Sequence, residues 1–323
     1  MKRKEKSMRK KPLRERLVLE KRLWQISLKR NWQLYLLLIP VVANFVVFHY
    51  VPMTGIQIAF KNFTLNDGIW GSEWIGFDHF VRFFTTYNFW TILKNTLFLS
   101  LLSLVFSFPL SICLALVLNE IQNKKLNSTL QTIFFAPHFV STVVVVGMMQ
   151  AFLSPTSGII NILLQNLGLI EEGIYFTKLE GWFRPMYIIS GLWQNMGWSA
   201  AIYLSALTAI DTELYDAAAV DGASKWKQLR YITIPCIWPT IVIQLILKCG
   251  HIMSVGYEKV LLMQASTNLS VSQIISTYVY SKGISSQQYD YGTAVGLFNS
   301  VINLIILLAV NRIAKKRSEV SLW

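Results

Sequence analysis

Charged residues are scarce in this sequence. Only 15% of its 323 residues are Asp, Glu, Lys or Arg, where a soluble domain carries about 25%. The shortage is local: no charged side chain occurs between Asn31 and Phe60. Charge-free runs of that length exclude one large soluble core and point to segments in lipid. Cysteine is also sparse. Cys113, Cys236 and Cys249 form no Cys-x-x-Cys and no Cys/His pair at metal spacing, so they read as small buried apolar residues and no metal site is expected. There is no Gly-x-x-x-x-Gly-Lys-Ser/Thr, so the chain is not expected to bind ATP. There is no His-Glu-x-x-His, no Gly-x-Ser-x-Gly and no convincing catalytic pair. The expectation is a protein that is not an enzyme, with no catalytic residues and no cofactor of its own.

What is present is apolar bulk, 53% of residues with a mean hydropathy of +0.43, and a net charge of +13. That charge sits at the ends. Residues 1–30 hold 13 Lys and Arg against Glu5, Glu15 and Glu20, and residues 312–323 hold Arg312, Lys315, Lys316 and Arg317 against Glu319. Basic ends flanking apolar spans are what membrane orientation requires, because Lys and Arg remain on the cytoplasmic side. A basic surface interleaved with aromatics does not recur elsewhere, so nucleic acid is not an expected partner. The basic segment 1–31 admits two readings: an amphipathic helix over 13–30 held on the inner leaflet by anionic lipid, or an unstructured tail.

A spanning helix needs about 20 mostly apolar residues. Six segments qualify, at about 33–50, 95–118, 132–153, 186–210, 239–257 and 291–311. The apolar run 158–170 is too short and reads as a small helix at the outer surface. The first run lacks the small-residue cleavage site of a secretory signal and reads as a retained span. Six spans bring both basic ends to the cytoplasm. Loops 119–131 and 211–238 then face inward, and 51–94, 154–185 and 258–290 face outward. The expected organisation is a basic cytoplasmic segment 1–31, an all-α domain of six transmembrane helices over 32–313, and a cytoplasmic tail 314–323.

The loop 211–239 is unlike an ordinary connector. Asp211 is placed to cap a helix with Glu213 in its first turn. Three consecutive alanines, Ala217, Ala218 and Ala219, favour helix and permit close approach of another backbone. Gly222 allows a break, and Ser224 can cap a second short helix with Trp226, Leu229 and Ile232 along one side. Pro235 is expected to end that helix, and Pro239 to lie in the first turn of the fifth span. The reading is two short helices at an angle, either a structured connector or a surface for another protein.

Here the sequence resembles the EAA motif of binding-protein-dependent ABC importer permeases, the superfamily that includes the maltose permeases. The matching residues are Asp216, Ala217 and Ala218, then Asp221, Gly222 and Ala223, then Pro235 and Pro239. Asp216 stands where Glu is usual, and Leu229 where Phe is usual. Residues 50–63, 256–262, 291–298 and Ser321-Leu322-Trp323 are similar to the oligosaccharide and polysaccharide branch. The resemblance implies the type I importer permease fold in a bacterial cytoplasmic membrane. It implies a second homologous permease, two ATP-binding subunits that carry ATP and Mg, and an extracellular or periplasmic sugar-binding protein. It also implies that the loop docks on the ATPase, with Asp216 as a polar contact and Trp226 and Leu229 as apolar anchors. The alternative is a stand-alone secondary transporter of a small polar solute, for which Lys248 is the one candidate intramembrane ionisable group.

Polar residues inside spans are costly and often functional. Gln244, Lys248 and His251 follow helical spacing on one face, and either line a path, bind a partner permease or bridge to a neighbouring helix. Trp193, Gln194 and Asn195 lie in the middle of the fourth span. Aromatic faces and amides suit saccharides, so these residues, with Tyr257 and Glu258, are the candidate substrate path. Trp and Tyr also gather at membrane interfaces for unrelated reasons.

Overall fold

The computed structural model describes residues 30–318 and 320–322. The segment 13–30, with its two readings, lies almost wholly outside them. The chain divides into two compact units, Met1–Gln57 and Ile58–Trp323. In the first unit, α1 (Trp32–Phe45) follows the charge-free run and buries none of its side chains. It passes through a π turn, Val46–Tyr50, and belongs to an apolar helical stretch that reaches Phe60.

The second unit is helical apart from one antiparallel ladder of two-residue strands, β1 (Lys61–Asn62) and β2 (Glu73–Trp74). Its main helices are α2 (Phe89–Glu120), α3 (Lys124–Phe135), α4 (Thr142–Phe152), α5 (Glu180–Thr208), α6 (Glu213–Val220), α7 (Lys225–Gln228), α8 (Ile234–Gly250), α9 (Tyr257–Met263) and α10 (Tyr289–Ser318). The run at 158–170 does contain a short helix, Ile159–Asn166. Among the described residues, four helices are long and apolar enough to cross a membrane: Trp32–Phe60, α2, Lys225–Gly250 and α10. A bent pair raises the number to five. Helix α5 has the length, at 29 residues, but Gln194, Asn195 and several serines keep it less apolar.

The expected third span is not one straight helix. Lys124–Phe139 and Thr142–Phe152 meet at 98°. Pro137 lies in a 3-10 turn, and Val140 and Ser141 are extended. Ser141 Oγ then accepts from Val144 N at 3.4 Å and starts α4 anew. Gln194 Nε2 donates to the Val140 carbonyl at 2.8 Å, so the break leaves no orphan acceptor there.

The fifth span also differs from its expected bounds. No break occurs at Pro235: a 26-residue helix runs through Lys225–Gly250. A π turn over Leu229–Thr233 precedes the proline, with Ile234 N bonded to Leu229 O. Bonding one residue further along absorbs the donor that Pro235 lacks. The second short helix of the loop is therefore the start of the span. At the other end α8 stops at Gly250, not at Tyr257. Any side chain at 250 would press on Leu307 of α10. Met253 N then takes Asn303 Oδ1 of α10 at 2.9 Å, so the chain leaves the helix. The last helix runs on to Ser318, so the start of the expected tail 314–323 is helical.

Three apolar clusters hold the second unit. One joins Leu99, Val146, Phe183, Met186, Val255 and Val260. A second joins Phe83, Ile92, Met253, Tyr278 and Tyr291. The third joins Ala115, Ala200, Tyr203, Leu207, Ile237 and Ile241. Helices α2 and α5 contribute to the first and third clusters near opposite ends, and the middle of each helix is left between them.

Candidate functional site

The loop after α5 is rigid for local reasons. Asp211 Oδ1 accepts from Glu213 N at 3.0 Å, so its carboxylate does cap the helix, although Thr212 occupies the capping position itself. Helix α6 ends in a Schellman motif. Ala223 N donates to Ala218 O at 2.9 Å and Gly222 N to Ala219 O at 3.0 Å, with Gly222 at φ +72°. Ser224 occupies the position before α7 with extended backbone and makes no side-chain cap. Tyr215 of α6 and Thr233 of the π turn join their hydroxyls at 2.9 Å, tying the two arms. Lys225 pairs with Glu120 at the end of α2 at 3.4 Å, an exposed bridge worth less than about 1 kcal/mol.

Of the loop residues, Asp216, Ala217, Asp221, Gly222, Pro235 and Pro239 are exposed, while Ala218, Ala223 and Leu229 are half-buried. Trp226 is 71% exposed, and Val220 is 89% exposed. Of the two expected apolar anchors, Trp226 is therefore presented and Leu229 is partly spent inside. Val220, which was not singled out from the sequence, stands further out than either. The most exposed large apolar side chains of the loop are Val220, Trp226 and Tyr231.

The middle of the helices holds a cavity of about 670 Å³, within the usual size of a ligand cleft. Ser103 and Ser107 of α2, Gly191, Gln194, Asn195 and Ser199 of α5, Lys248 of α8 and Tyr257, Glu258 and Lys259 of α9 line it. The space exists because small side chains face one another between the two apolar clusters. The cavity thus brings together Gln194, Asn195, Lys248, Tyr257 and Glu258. It does not include the other three expected residues. Trp193 lies on an apolar groove with Met149, Phe152 and Met186. Gln244 lines neither this cavity nor its neighbour. His251 lies past the end of α8 and lines an adjoining space of about 190 Å³ that shares Lys248.

Gln194 is buried with its amide nitrogen committed to Val140, so its placement also serves the bend. Asn195 Oδ1 lies 3.1 Å from His138 Nδ1, and that ring stacks on Trp198 with centroids 4.6 Å apart. Tyr257 is backed by Tyr280, with ring centroids 5.4 Å apart.

Sequence reasoning missed Tyr187 and Lys259. Lys259 is 7% exposed. Its Nζ donates to Tyr187 O at 3.0 Å and lies 4.8 Å from the centre of the Tyr187 ring. Burial pushes its pKa down to about 8. The signal that was available for the cavity wall is the run Ser100, Ser103 and Ser107, at helical spacing on an otherwise apolar helix.

The chain is 43% identical to Protein LplB of Bacillus subtilis over 300 residues, covering 93% of this chain and 94% of that one. It is 44% identical to the polygalacturonan/rhamnogalacturonan transport system permease protein YteP of the same organism, covering 92% of each. A solved chain of a bacterial ABC transporter involved in the import of the acidic polysaccharide alginate superposes with a TM-score of 0.84 at 42% identity. That match covers 92% of this chain and 99% of the solved one. A bacterial alginate ABC transporter in complex with an alginate pentasaccharide-bound periplasmic protein matches at 41% identity and a TM-score of 0.84, over 93% and 100% of the two chains. Residues 107–319 match the family model for the binding-protein-dependent transport system inner membrane component. This multi-pass membrane protein therefore belongs to the family of inner membrane components of binding-protein-dependent ABC transport systems.

Proposed function

We propose that this chain carries an oligosaccharide or polysaccharide fragment across a bacterial cytoplasmic membrane, as one of two permease subunits in a type I ABC importer. The observation that carries this reading is a polar cavity at mid-length of α2 and α5, joined by those same helices to a rigid, apolar-tipped loop. Relatives of nearly full length whose names specify saccharide transport support the substrate class. The solved complex with a saccharide-loaded periplasmic protein supports an external binding protein as partner. The stand-alone secondary transporter has no comparable support, given the family.

In this reading the chain crosses the membrane six times, with α5 and the bent pair as spans and both termini cytoplasmic. The loop 211–239 lies on the ATPase side. Closure of two ATP-binding subunits around ATP and Mg moves the loop as a rigid lever, because the Schellman motif and the Tyr215–Thr233 bond leave it little freedom. The movement converts an inward-open path to an outward-open one, and saccharide enters from the binding protein. Asn195 and Tyr257 supply an amide and an aromatic face to the passing sugar.

The test is deletion of the gene for this chain followed by growth on a panel of oligosaccharides as sole carbon source. Loss of growth on one saccharide class, restored by the intact chain, is expected. Unimpaired growth and uptake on every saccharide would contradict the assignment.

A further inference from the structure

Lys259 is more than nine-tenths buried, yet its only protein partners among the described residues are the Tyr187 carbonyl and the face of the Tyr187 ring. Among the described residues no carboxylate pairs with it, and none pairs with Lys248, although both ammonium groups line the same cavity. An ammonium has three donors, and Lys259 uses one. The carboxylate that shares the cavity, on Glu258, is exposed, so the buried wall keeps excess positive charge. A buried cation without a counter-ion is costly to the fold. A neutral hydrogen-bond donor would serve the Tyr187 carbonyl at less cost.

The geometry points to a carboxylate-bearing saccharide as the ligand of this cavity, with Lys259 and Lys248 as the residues that distinguish it from a neutral sugar of the same shape. This inference rests on the proposed saccharide import and names the chemical class of the cargo. A uronate carboxylate would supply the missing counter-charge and accept the free donors of Lys259, a charge-assisted contact of the stronger kind. Lys248 meets the same ligand from α8. Hydroxyl groups of the sugar ring remain for Ser103, Ser107 and Asn195. A passing cargo needs one strong but exchangeable contact, and a lone ammonium on a flexible stem gives that more readily than a two-pronged guanidinium clamp.

The test is direct binding to the complete transporter, purified with its partner subunits in lipid nanodiscs and without the external binding protein. The probes are tetrasaccharides of galacturonic, glucuronic and mannuronic acid and their methyl esters, which keep the skeleton and remove the charge. Wild type is expected to bind at least one acid about tenfold tighter than its ester. Lys259→Met should abolish that preference, so that acid and ester bind alike, and Lys259→Arg should keep most of it. Lys248→Met should reduce the preference on its own, which carries the test should Lys259→Met fail to assemble. A wild-type complex that binds acid and ester alike, or binds neither, overturns the proposal, as does a preference that survives both methionine variants. Saccharide uptake by cells holding the wild-type system separates this outcome from failure of the importer reading itself. Uptake confined to neutral saccharides leaves an importer without the acidic cargo.

Discussion

At Lys259 burial and charge pull in opposite directions. Desolvation brings the ammonium's pKa down to about 8, so the group is cationic below that pH and neutral above it. Binding of an acidic tetrasaccharide should then be level up to about pH 7 and weaken as pH rises through 8, because the charge that attracts the carboxylate is lost. Glu258 and Lys248 face the same cavity, and Tyr187 lies against the amine. Lys259→Arg separates their effects, since a guanidinium stays charged well past pH 9 and should flatten the profile. Calorimetric titration from pH 6.5 to 9 checks this, and identical profiles for the two proteins would remove Lys259 from the recognition. Gly222 makes a different demand. At φ +72° it sits where a side chain costs about 1–2 kcal/mol. Gly222→Val is expected to leave the membrane domain folded and to disorder the turn between α6 and α7. The reading is faster proteolytic nicking at 221–224 in the isolated membrane subunits, with unchanged accumulation in the membrane.

Helices set the next scale, and here one hydrogen bond and one glycine are informative. Tyr215→Phe removes the bond to Thr233 and should loosen α6 against the π turn at a cost of about 1 kcal/mol. Its signature would be more ATP hydrolysed per saccharide imported, while Tyr215 variants that keep a hydroxyl donor should stay coupled. Gly197 packs so closely on α3 that any side chain would collide with the Phe134 carbonyl. Gly197→Leu should therefore push α5 off α3 and prevent accumulation, an overpacking cost of about 1–3 kcal/mol or more; normal levels by immunoblot would contradict the packing. Much of this scale was legible in the sequence. Charge-free length revealed the long helices, and the pattern of Asp211, three alanines and Gly222 revealed α6 and its turn, because these signals are local. The 98° break and the uninterrupted helix at Pro235 were not legible. Both depend on where a displaced hydrogen bond goes, to Gln194 of another helix in one case and into a π turn in the other. Lys259 was missed for the same reason. One position from Glu258 in the sequence, it read as an outer-loop charge, and only the fold puts it under Tyr187.

For the whole molecule, the proposed reading joins the basic ends, the cavity between two apolar clusters and the apolar-tipped loop into a path whose motor would lie outside the chain. The loop is where that description is most exposed to failure. Trp226→Ala and Val220→Asp alter side chains that are largely exposed. As central anchors of a docking surface they should each weaken association with the ATP-binding subunits by about 2 kcal/mol, or about thirtyfold. The most direct measurement is uptake of labelled oligosaccharide into proteoliposomes holding the assembled transporter, with ATP supplied on the side of the loop and the binding protein on the other. The account predicts uptake that requires ATP and the ATP-binding subunits, and that falls together with saccharide-stimulated ATP hydrolysis in Trp226→Ala and Val220→Asp. Undiminished uptake without those subunits, driven by an ion gradient alone, would contradict it.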